Sequence, residues 1–185
     1  MEPGTFYHIY NRGNNRERIF RSDENYRYFL RKYKSYLAPF VDTYACCLQP
    51  THFHFCLRVK DDISTERISN LTPVEKAFRD FFISYAKSIN KQYGRTGSLF
   101  QYKFKRKPAD DLVYRMRLVV YIHANPVRAG LCSQLADWTF SSYPAFFSKA
   151  ETAVQRDAVL DWFGGLEDFV TFHEEYLDWE PSSKW

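Results

Sequence analysis

Two β-rich runs lie almost end to end in the sequence, VDTYACCL at residues 41–48 and HFHFCLRV at residues 52–59. Only Gln49, Pro50 and Thr51 separate them, and strands joined by so short a connection pair as an antiparallel hairpin. The hairpin therefore limits the chain to folds that contain an antiparallel sheet.

Helical periodicity appears between the strand signals, which is the pattern of an α+β fold. The predicted helices cover residues 23–37, 73–92, 110–125 and, in the tail, 167–178. The remaining predicted strands cover residues 5–10 and 99–104, and a turn-rich connection covers 12–18.

Two prolines mark predicted helix boundaries. Pro73 follows Thr72, which is a favourable N-cap, so the second helix should begin there. Pro126 follows Asn125, and the residue before a proline is biased out of the helical region. The third helix is therefore predicted to stop at Asn125.

The composition fits one globular domain with room for a short extension, since 45% of the 185 residues are apolar and 26% are charged. The net charge of +4 permits a nucleic-acid partner without demonstrating one.

No signal peptide and no apolar run of roughly 18 residues are found, so a cytoplasmic, nucleoid-associated protein is expected. The cysteines show no metal-binding spacing. They are Cys46, Cys47, Cys56 and Cys132.

The triplet His52-Phe53-His54 is the first candidate for chemistry. Residues two apart on a strand point to the same face, so both imidazoles should project together while Phe53 enters the core. Two adjacent imidazoles can bind a divalent metal ion. Two structural histidines on a strand would give the same triplet.

The second candidate lies on the third predicted helix, where Tyr114, Leu118, Tyr121 and Asn125 share one face. Tyr121 would be the nucleophile and the Asn125 carboxamide a metal ligand. The alternative is that Tyr121 is one of 14 structural tyrosines and Asn125 only ends a helix.

Together these groups suit the cleavage of a phosphodiester. A bound Mg²⁺ or Mn²⁺ would polarise the phosphate, and Tyr121 would attack phosphorus to give a phosphotyrosine that conserves the bond energy. Lys103 or Lys105 would favour the phenolate, or simply contact phosphate.

At this point the sequence resembles a known family. THFHF at 51–55 resembles the HUH motif of single-tyrosine transposases, and YIHANPVRAGL at 121–131 resembles the nucleophile segment of REP-associated tyrosine transposases. Three further segments occur in the same order: FYHIYNRGNNRERIF, GSLFQYKFKRK and WTFSSYPAF. The resemblance covers roughly residues 4–147.

The resemblance implies a ferredoxin-like α+β fold, with helices packed on one face of an antiparallel sheet and the catalytic Tyr121 on a helix. Residues 1–147 would form the catalytic domain and 148–185 a C-terminal helical extension. It also implies metal ligands at His52, His54 and Asn125, and Mg²⁺ or Mn²⁺ as the cofactor. The substrate would be single-stranded or hairpin DNA, cleaved through a 5′-phosphotyrosine with a free 3′-OH. A monomer and a homodimer both remain open.

Two positions depart from the family pattern. Gln49 and Thr51 stand where relatives usually show the residues of a Met-Pro-Asn-His string, although both histidines are intact. Asn125 stands where the insertion-sequence branch commonly has Gln, which points to the REP-associated branch.

Basic and amide side chains predict where DNA would be held, because they hydrogen-bond phosphates and bases. The candidates lie in the loop after the first strand, in the run KFKRK and after Tyr121. They are Arg12, Asn14, Asn15, Arg16, Arg18, Lys103, Lys105, Arg106, Lys107 and Arg128.

Three other histidines have structural interpretations. His8 is interpreted as a sheet residue near the site, His123 as structural or DNA-contacting, and His173 as a surface or packing residue in the tail.

The main hypothesis is thus a transposase or endonuclease, and the alternative is a non-cleaving DNA-binding regulator that retains the fold. A protein that has lost the cleavage activity should have lost at least one of His52, His54 and Tyr121, and all three are present. A metal-binding structural domain would leave the basic clusters unexplained. A relaxase or replication initiator would lack the YIHANPVRAGL segment.

Overall fold

A four-stranded antiparallel sheet forms the centre of the molecule in the computed structural model, which describes residues 1–67 and 69–178. Its strands are β1 (Phe6–Arg12), β2 (Val41–Gln49), β3 (His52–Val59) and β4 (Lys105–Pro108). They lie in the order β2-β3-β1-β4, and every neighbouring pair is antiparallel. The predicted hairpin and the α+β class are confirmed.

Five α-helices of the described ranges surround this sheet. They are α1 (Asp23–Leu37), α2 (Pro73–Gln92), α3 (Leu112–Arg128), α4 (Arg156–Phe163) and α5 (Leu166–Asp178). The start of α2 is as predicted, since Thr72 and Glu75 form a capping box ahead of Pro73. Helix α4 was not predicted. None of the helices in the described ranges is both long and apolar enough to cross a membrane.

The helices cover both faces of the sheet, so the expectation that they pack on one face is wrong. Ile9, Phe53 and Phe55 belong to the core beneath α1 and α2. Cys56 belongs to a second core with α3, α4 and α5. The physical reason is that β3 is buried at consecutive positions, so the two sides of the strand both need cover.

Helix α3 runs three residues past the predicted end and contains Pro126 in its interior. The Asn125 side chain supplies a hydrogen bond within the helix at this point, because its Nδ2 donates to the Tyr121 carbonyl at 2.8 Å. Pro126 itself is buried. The helix ends at Arg128, and Gly130 follows the Ala129 cap with a left-handed φ of 67°, which suits a helix terminus.

The predicted strand at 99–104 is also wrong, because β4 begins only at Lys105. Gly97 and Lys103 have positive φ angles of 80° and 59°, and such residues interrupt an extended backbone. Phe100 makes a single isolated bridge with Gly13, so the segment follows the sheet without joining it.

The two edges of the sheet are protected in different ways. Along β2, the Leu48 N–H donates to the Phe140 carbonyl and the Ser142 N–H to the Cys46 carbonyl, so a later segment of the chain covers this edge. At the other edge β4 is four residues long, is exposed at every position and contains Lys105 and Lys107. Within the described ranges no further strand pairs with β4.

Helices α3 and α5 are joined by a chain of buried hydrogen bonds. His123 Nδ1 lies 2.9 Å from His173 Nε2, and His123 Nε2 lies 2.8 Å from Ser142 Oγ. His173 Nδ1 lies 2.6 Å from the Phe169 carbonyl, which can only accept a proton. His173 therefore donates through Nδ1, and a neutral His173 accepts through Nε2 from His123. These bonds hold both buried rings against protein groups, so His123 is structural and His173 is a packing residue.

Burial lowers the pKa of His173 from 6.5 to about 4 and holds the pKa of His123 well below 6.5. Both side chains are fully buried. A group whose folded pKa is depressed leaves the unfolded state binding more protons as the pH falls. Its contribution to stability is present above pH 6.5 and is lost between pH 6.5 and about 4.

The free energy of unfolding should therefore fall as the pH is lowered from 7 to 4, by up to about 1.4 kcal/mol per pH unit for each such histidine. We expect the loss to be smaller in His173→Gln, which keeps hydrogen-bonding groups without an ionisable ring. Urea unfolding at several pH values measures this. Equal pH dependence in wild type and variant would contradict the prediction.

Candidate functional site

The pairing of β1 with β3 gathers a cluster of rings on the face of the sheet that α3 covers. Tyr10 is directly opposite His54 and Arg12 is directly opposite His52 in the antiparallel register. The His52 and His54 rings lie 5.3 Å apart, and the Tyr10 ring stacks 5.6 Å from His54. His52 and His54 thus project together, as the alternation along β3 predicts, and Phe53 is fully buried on the other side.

Tyr121 reaches this cluster from helix α3. Its ring lies 5.4 Å from the His54 ring and 6.1 Å from the His8 ring, edge to face in both cases. The residue is half-buried. The structure therefore brings Tyr121 and His54, two of the predicted site residues from distant parts of the sequence, into direct contact.

Hydrogen bonds fix the orientation of both candidate ligands. His54 Nδ1 lies 2.9 Å from His8 Nε2, and His52 Nδ1 lies 3.0 Å from Thr51 Oγ1. Within residues 1–67 and 69–178, neither Nε2 atom of His52 or His54 makes a hydrogen bond. Histidines that bind metals commonly have their second nitrogen held in this way.

The electrostatics keep these imidazoles neutral. Burial and then the Arg12 charge lower the pKa of His52 from 6.5 to about 4. Burial, followed by the neighbouring His8 and His52, holds the pKa of His54 well below 6.5. Neutral imidazole is the form that binds a metal ion.

Burial has the opposite effect on the phenol, since it raises the pKa of Tyr121 above 10. The nearby Asn125 side chain and the charges of Arg12 and Arg128 offset part of this rise. At neutral pH Tyr121 is therefore a protonated phenol, and its use as a nucleophile requires additional positive charge nearby.

The metal-ligand set would need donors other than histidine. In the described part of the chain, no three His, Cys, Asp or Glu side chains are arranged to hold a metal ion. Asn125 is one turn beyond Tyr121 on α3 and uses its Nδ2 as a donor to the Tyr121 carbonyl. Its Oδ1 is the atom that could act as a ligand. Together with the two Nε2 atoms, this donor set fits a divalent cation.

Gln49 is a further polar residue beside the cluster. It pairs with His52 across the hairpin and is 1% exposed. Among the described residues its Nε2 has no hydrogen-bond partner. The position that departs from the family pattern is therefore a buried amide on the same face as His52.

The basic run of β4 divides between the two faces of the sheet. Lys105 and Lys107 pair with Tyr10 and His8, so they share the face of the histidines. Arg106 pairs with Ile9 and forms an ion pair with Glu75 on the opposite face. Only part of the predicted DNA-binding run therefore borders the site.

The other predicted DNA-binding residues belong to helix α3, to the loop before β4 and to the loop after β1. Arg128 donates to the Tyr176 carbonyl and lies over the Tyr176 ring. Lys103 belongs to the loop before β4, and its ammonium lies 5.4 Å from the Tyr102 ring. An exposed loop after β1 contains the remaining four: Asn14, Asn15, Arg16 and Arg18.

The sharp turn into this exposed loop depends on Gly13. A Cβ at this position would lie 2.1 Å from the Glu17 carbonyl oxygen, which no side chain tolerates.

His8 is a sheet residue beside the site, as predicted, whereas Tyr10 was not predicted to belong to the cluster. His8 bonds to His54, and the two rings stack at 5.1 Å. The available signal was the alternation in FYHIY, which places His8 and Tyr10 on one face of β1. That signal becomes useful only once the register with β3 is known.

Comparison with known proteins shows the fold. No protein-family model matches the chain, and no curated protein matches it. A solved structure described as a REP-associated tyrosine transposase bound to a REP hairpin matches with a TM-score of 0.63 at 16% sequence identity. The match covers 84% of this chain and 90% of that chain. The four-stranded α+β architecture is thus that of a known tyrosine transposase.

The protonation state of the cluster can be measured directly. We expect His52 to remain neutral at pH 6, with the proton on Nδ1, and to titrate near pH 4 because burial and Arg12 oppose its protonation. Long-range ¹H–¹⁵N NMR spectra of the five imidazoles report both properties, and His52→Gln identifies the signal. A titration midpoint near 6.5 for His52 would contradict the proposed electrostatics.

Proposed function

We propose that this chain is a single-strand DNA transposase or endonuclease that cleaves and rejoins DNA through a 5′-phosphotyrosine at Tyr121, with a divalent metal ion. The contact between the Tyr121 ring and the His54 ring carries the proposal. It supports the proposal because Tyr121, the candidate nucleophile, lies beside the candidate ligand His54, and Arg12, Lys105 and Lys107 share this face of the sheet.

The likeness in fold supports the substrate class. The solved structure with the same fold is described as bound to a REP hairpin. Hairpin DNA with a single-stranded flank is therefore the substrate that we propose for this chain. The basic residues of β4 and of the loop after β1 supply the positive charge that such a polyanion needs.

In the proposed reaction the Tyr121 oxygen attacks phosphorus and loses its proton. The P–O3′ bond breaks, the 3′ oxygen takes up a proton, and the downstream strand stays attached to Tyr121 through its 5′ phosphate. Arg12 and Arg128 stabilise the developing negative charge on the phenol oxygen, because both already lower its pKa. The reverse attack by a free 3′-OH would rejoin the strand.

His52, His54 and Asn125 would hold the metal ion. When bound, the cation would polarise the scissile phosphate and favour the phenolate. His8 acts through His54, since its Nε2 holds His54 Nδ1 and so sets the orientation of that ring. Thr51 holds His52 in the same manner.

Metal binding should depend on the two strand histidines. We expect His52→Ala and His54→Ala each to weaken Mn²⁺ binding at least tenfold, because each removes one of three protein donors. Isothermal titration calorimetry measures the affinity. His173→Gln is the control, since His173 hydrogen-bonds to His123 and to the Phe169 carbonyl and to neither strand histidine, and it should leave Mn²⁺ affinity unchanged. Equal affinity in all variants would contradict the ligand assignment.

Covalent chemistry should depend on one phenol. We incubate the protein and Mn²⁺ with a pool of DNA hairpins that have randomised single-stranded flanks and a 3′ label. A 5′-phosphotyrosine retains the 3′ label, so a labelled protein band is expected for wild type. Tyr121→Phe should abolish this band, and Tyr114→Phe, on the same helix, should retain it.

The pattern of results separates the two functions. If wild type and both variants bind the hairpins but none forms an adduct, the enzyme hypothesis is wrong and the non-cleaving regulator is the better interpretation. An adduct that persists in Tyr121→Phe would instead show that the wrong tyrosine has been assigned.

A further inference from the structure

A cavity of about 750 Å³ lies on the other side of the sheet from the histidine cluster. It is enclosed by helix α2 and the segment 97–106 that precedes and begins β4. Asn11 of β1 also lines it, and Asn11 precedes Arg12, which points to the histidine face. The cavity and the proposed active site therefore meet at one end of β1.

The floor of this cavity is aromatic. Phe82 lies 5.3 Å from Phe100 and 5.5 Å from Phe104, and all three rings line the cavity. At the rim, Tyr102 is 88% exposed and Ile83 is 46% exposed. Exposed apolar groups around a concave surface mark a binding site, because burying them on a ligand removes them from water.

The rim of the cavity is positively charged. Arg67, Arg79, Lys103 and Arg106 line it, and Glu75 is the acidic residue among the described lining residues. Burial alone would raise the pKa of Glu75, but hydrogen bonds from the Thr72 backbone N–H, the N-terminal ammonium and Arg106 lower it to about 2. Arg79 forms an ion pair with Asp80. The cavity rim still has more positive than negative side chains, so it favours an anionic ligand.

We propose that this cavity binds an unpaired nucleotide, with the base against Tyr102 and the phenylalanine floor and the phosphate against Lys103. The inference rests on the proposed function, since the nucleotide belongs to the DNA strand that Tyr121 attacks. A base offers two flat faces for stacking, and its phosphodiester offers the charge that the rim requires. An acidic peptide would use the cations and leave the aromatic floor without a partner.

Positive side chains on both faces of β4 connect the cavity with the proposed active site. Lys105 and Lys107 face the histidines and Arg106 faces the cavity, so cations alternate across this edge of the sheet. Gln101, also a lining residue, donates its N–H to the Arg12 carbonyl and forms the ridge between the two sites. A single strand that crosses this ridge contacts positive charge on both sides.

The test separates base binding from phosphate binding. Fluorescence anisotropy compares a labelled thymidine 12-mer with a fully abasic 12-mer of the same backbone, in EDTA so that no cleavage occurs. Tyr102→Ala should weaken binding of the thymidine 12-mer about 5- to 150-fold, the effect of losing one stacked base, and leave the abasic 12-mer unchanged. Lys103→Ala should weaken binding of both.

Phe172→Ala is the matched control, because Phe172 is an aromatic residue of α5 that is 45% exposed. It should leave binding of both oligonucleotides unchanged. If Tyr102→Ala binds the thymidine 12-mer as tightly as Phe172→Ala does, or loses affinity equally for both oligonucleotides, the cavity does not bind a base. That result leaves the adduct assay on Tyr121 untouched. A wild-type protein that binds neither oligonucleotide would overturn the cavity proposal, whereas the adduct assay on hairpin DNA decides the proposed function separately.

Discussion

The antiparallel register between β1 and β3 is the constraint on which the rest of the site depends. It sets Tyr10 opposite His54 and Arg12 opposite His52, and it brings His8 within hydrogen-bonding distance of His54. Strand side chains alternate between the two faces of a sheet. A slip of one residue would therefore turn His8 and Tyr10 of β1 towards the core beneath α1 and α2. The core beneath α1 and α2 opposes such a slip, since it would have to accept polar side chains in place of Ile9 and its neighbours.

Tyr121 is held over the histidine face of the sheet by helix α3. Helix α3 is anchored to the sheet through an apolar core and to α5 through the bonded pair His123 and His173. The phenol is therefore supported by a rigid element, and a half-buried position raises its pKa. The same burial that orients Tyr121 makes it a weaker nucleophile, which is why the proposed chemistry requires a cation and the neighbouring arginines.

Much of this could be predicted from the sequence where local rules decide. The hairpin, the two faces of β3 and the cap of α2 follow from alternation and capping alone. Pro126 misled the prediction of the end of α3, because tertiary packing outweighed the local bias at Asn125. The contact of Tyr121 with His54 was expected only through the resemblance, and the role of His8 needed the register. The cavity beside α2 could not be predicted, since its lining comes from distant segments.

The two edges of the sheet respond differently to the surrounding solution. The β2 edge is covered by backbone hydrogen bonds from the segment that contains Phe140 and Ser142, and such cover is insensitive to ionic strength. The β4 edge relies on the repulsion between its lysines and those of another copy. Repulsion of this kind is screened beyond about 8 Å at physiological salt and is neutralised by a bound polyanion. Concentrated salt or bound nucleic acid therefore weakens the charge protection of the β4 edge, while the backbone hydrogen bonds along β2 are unaffected.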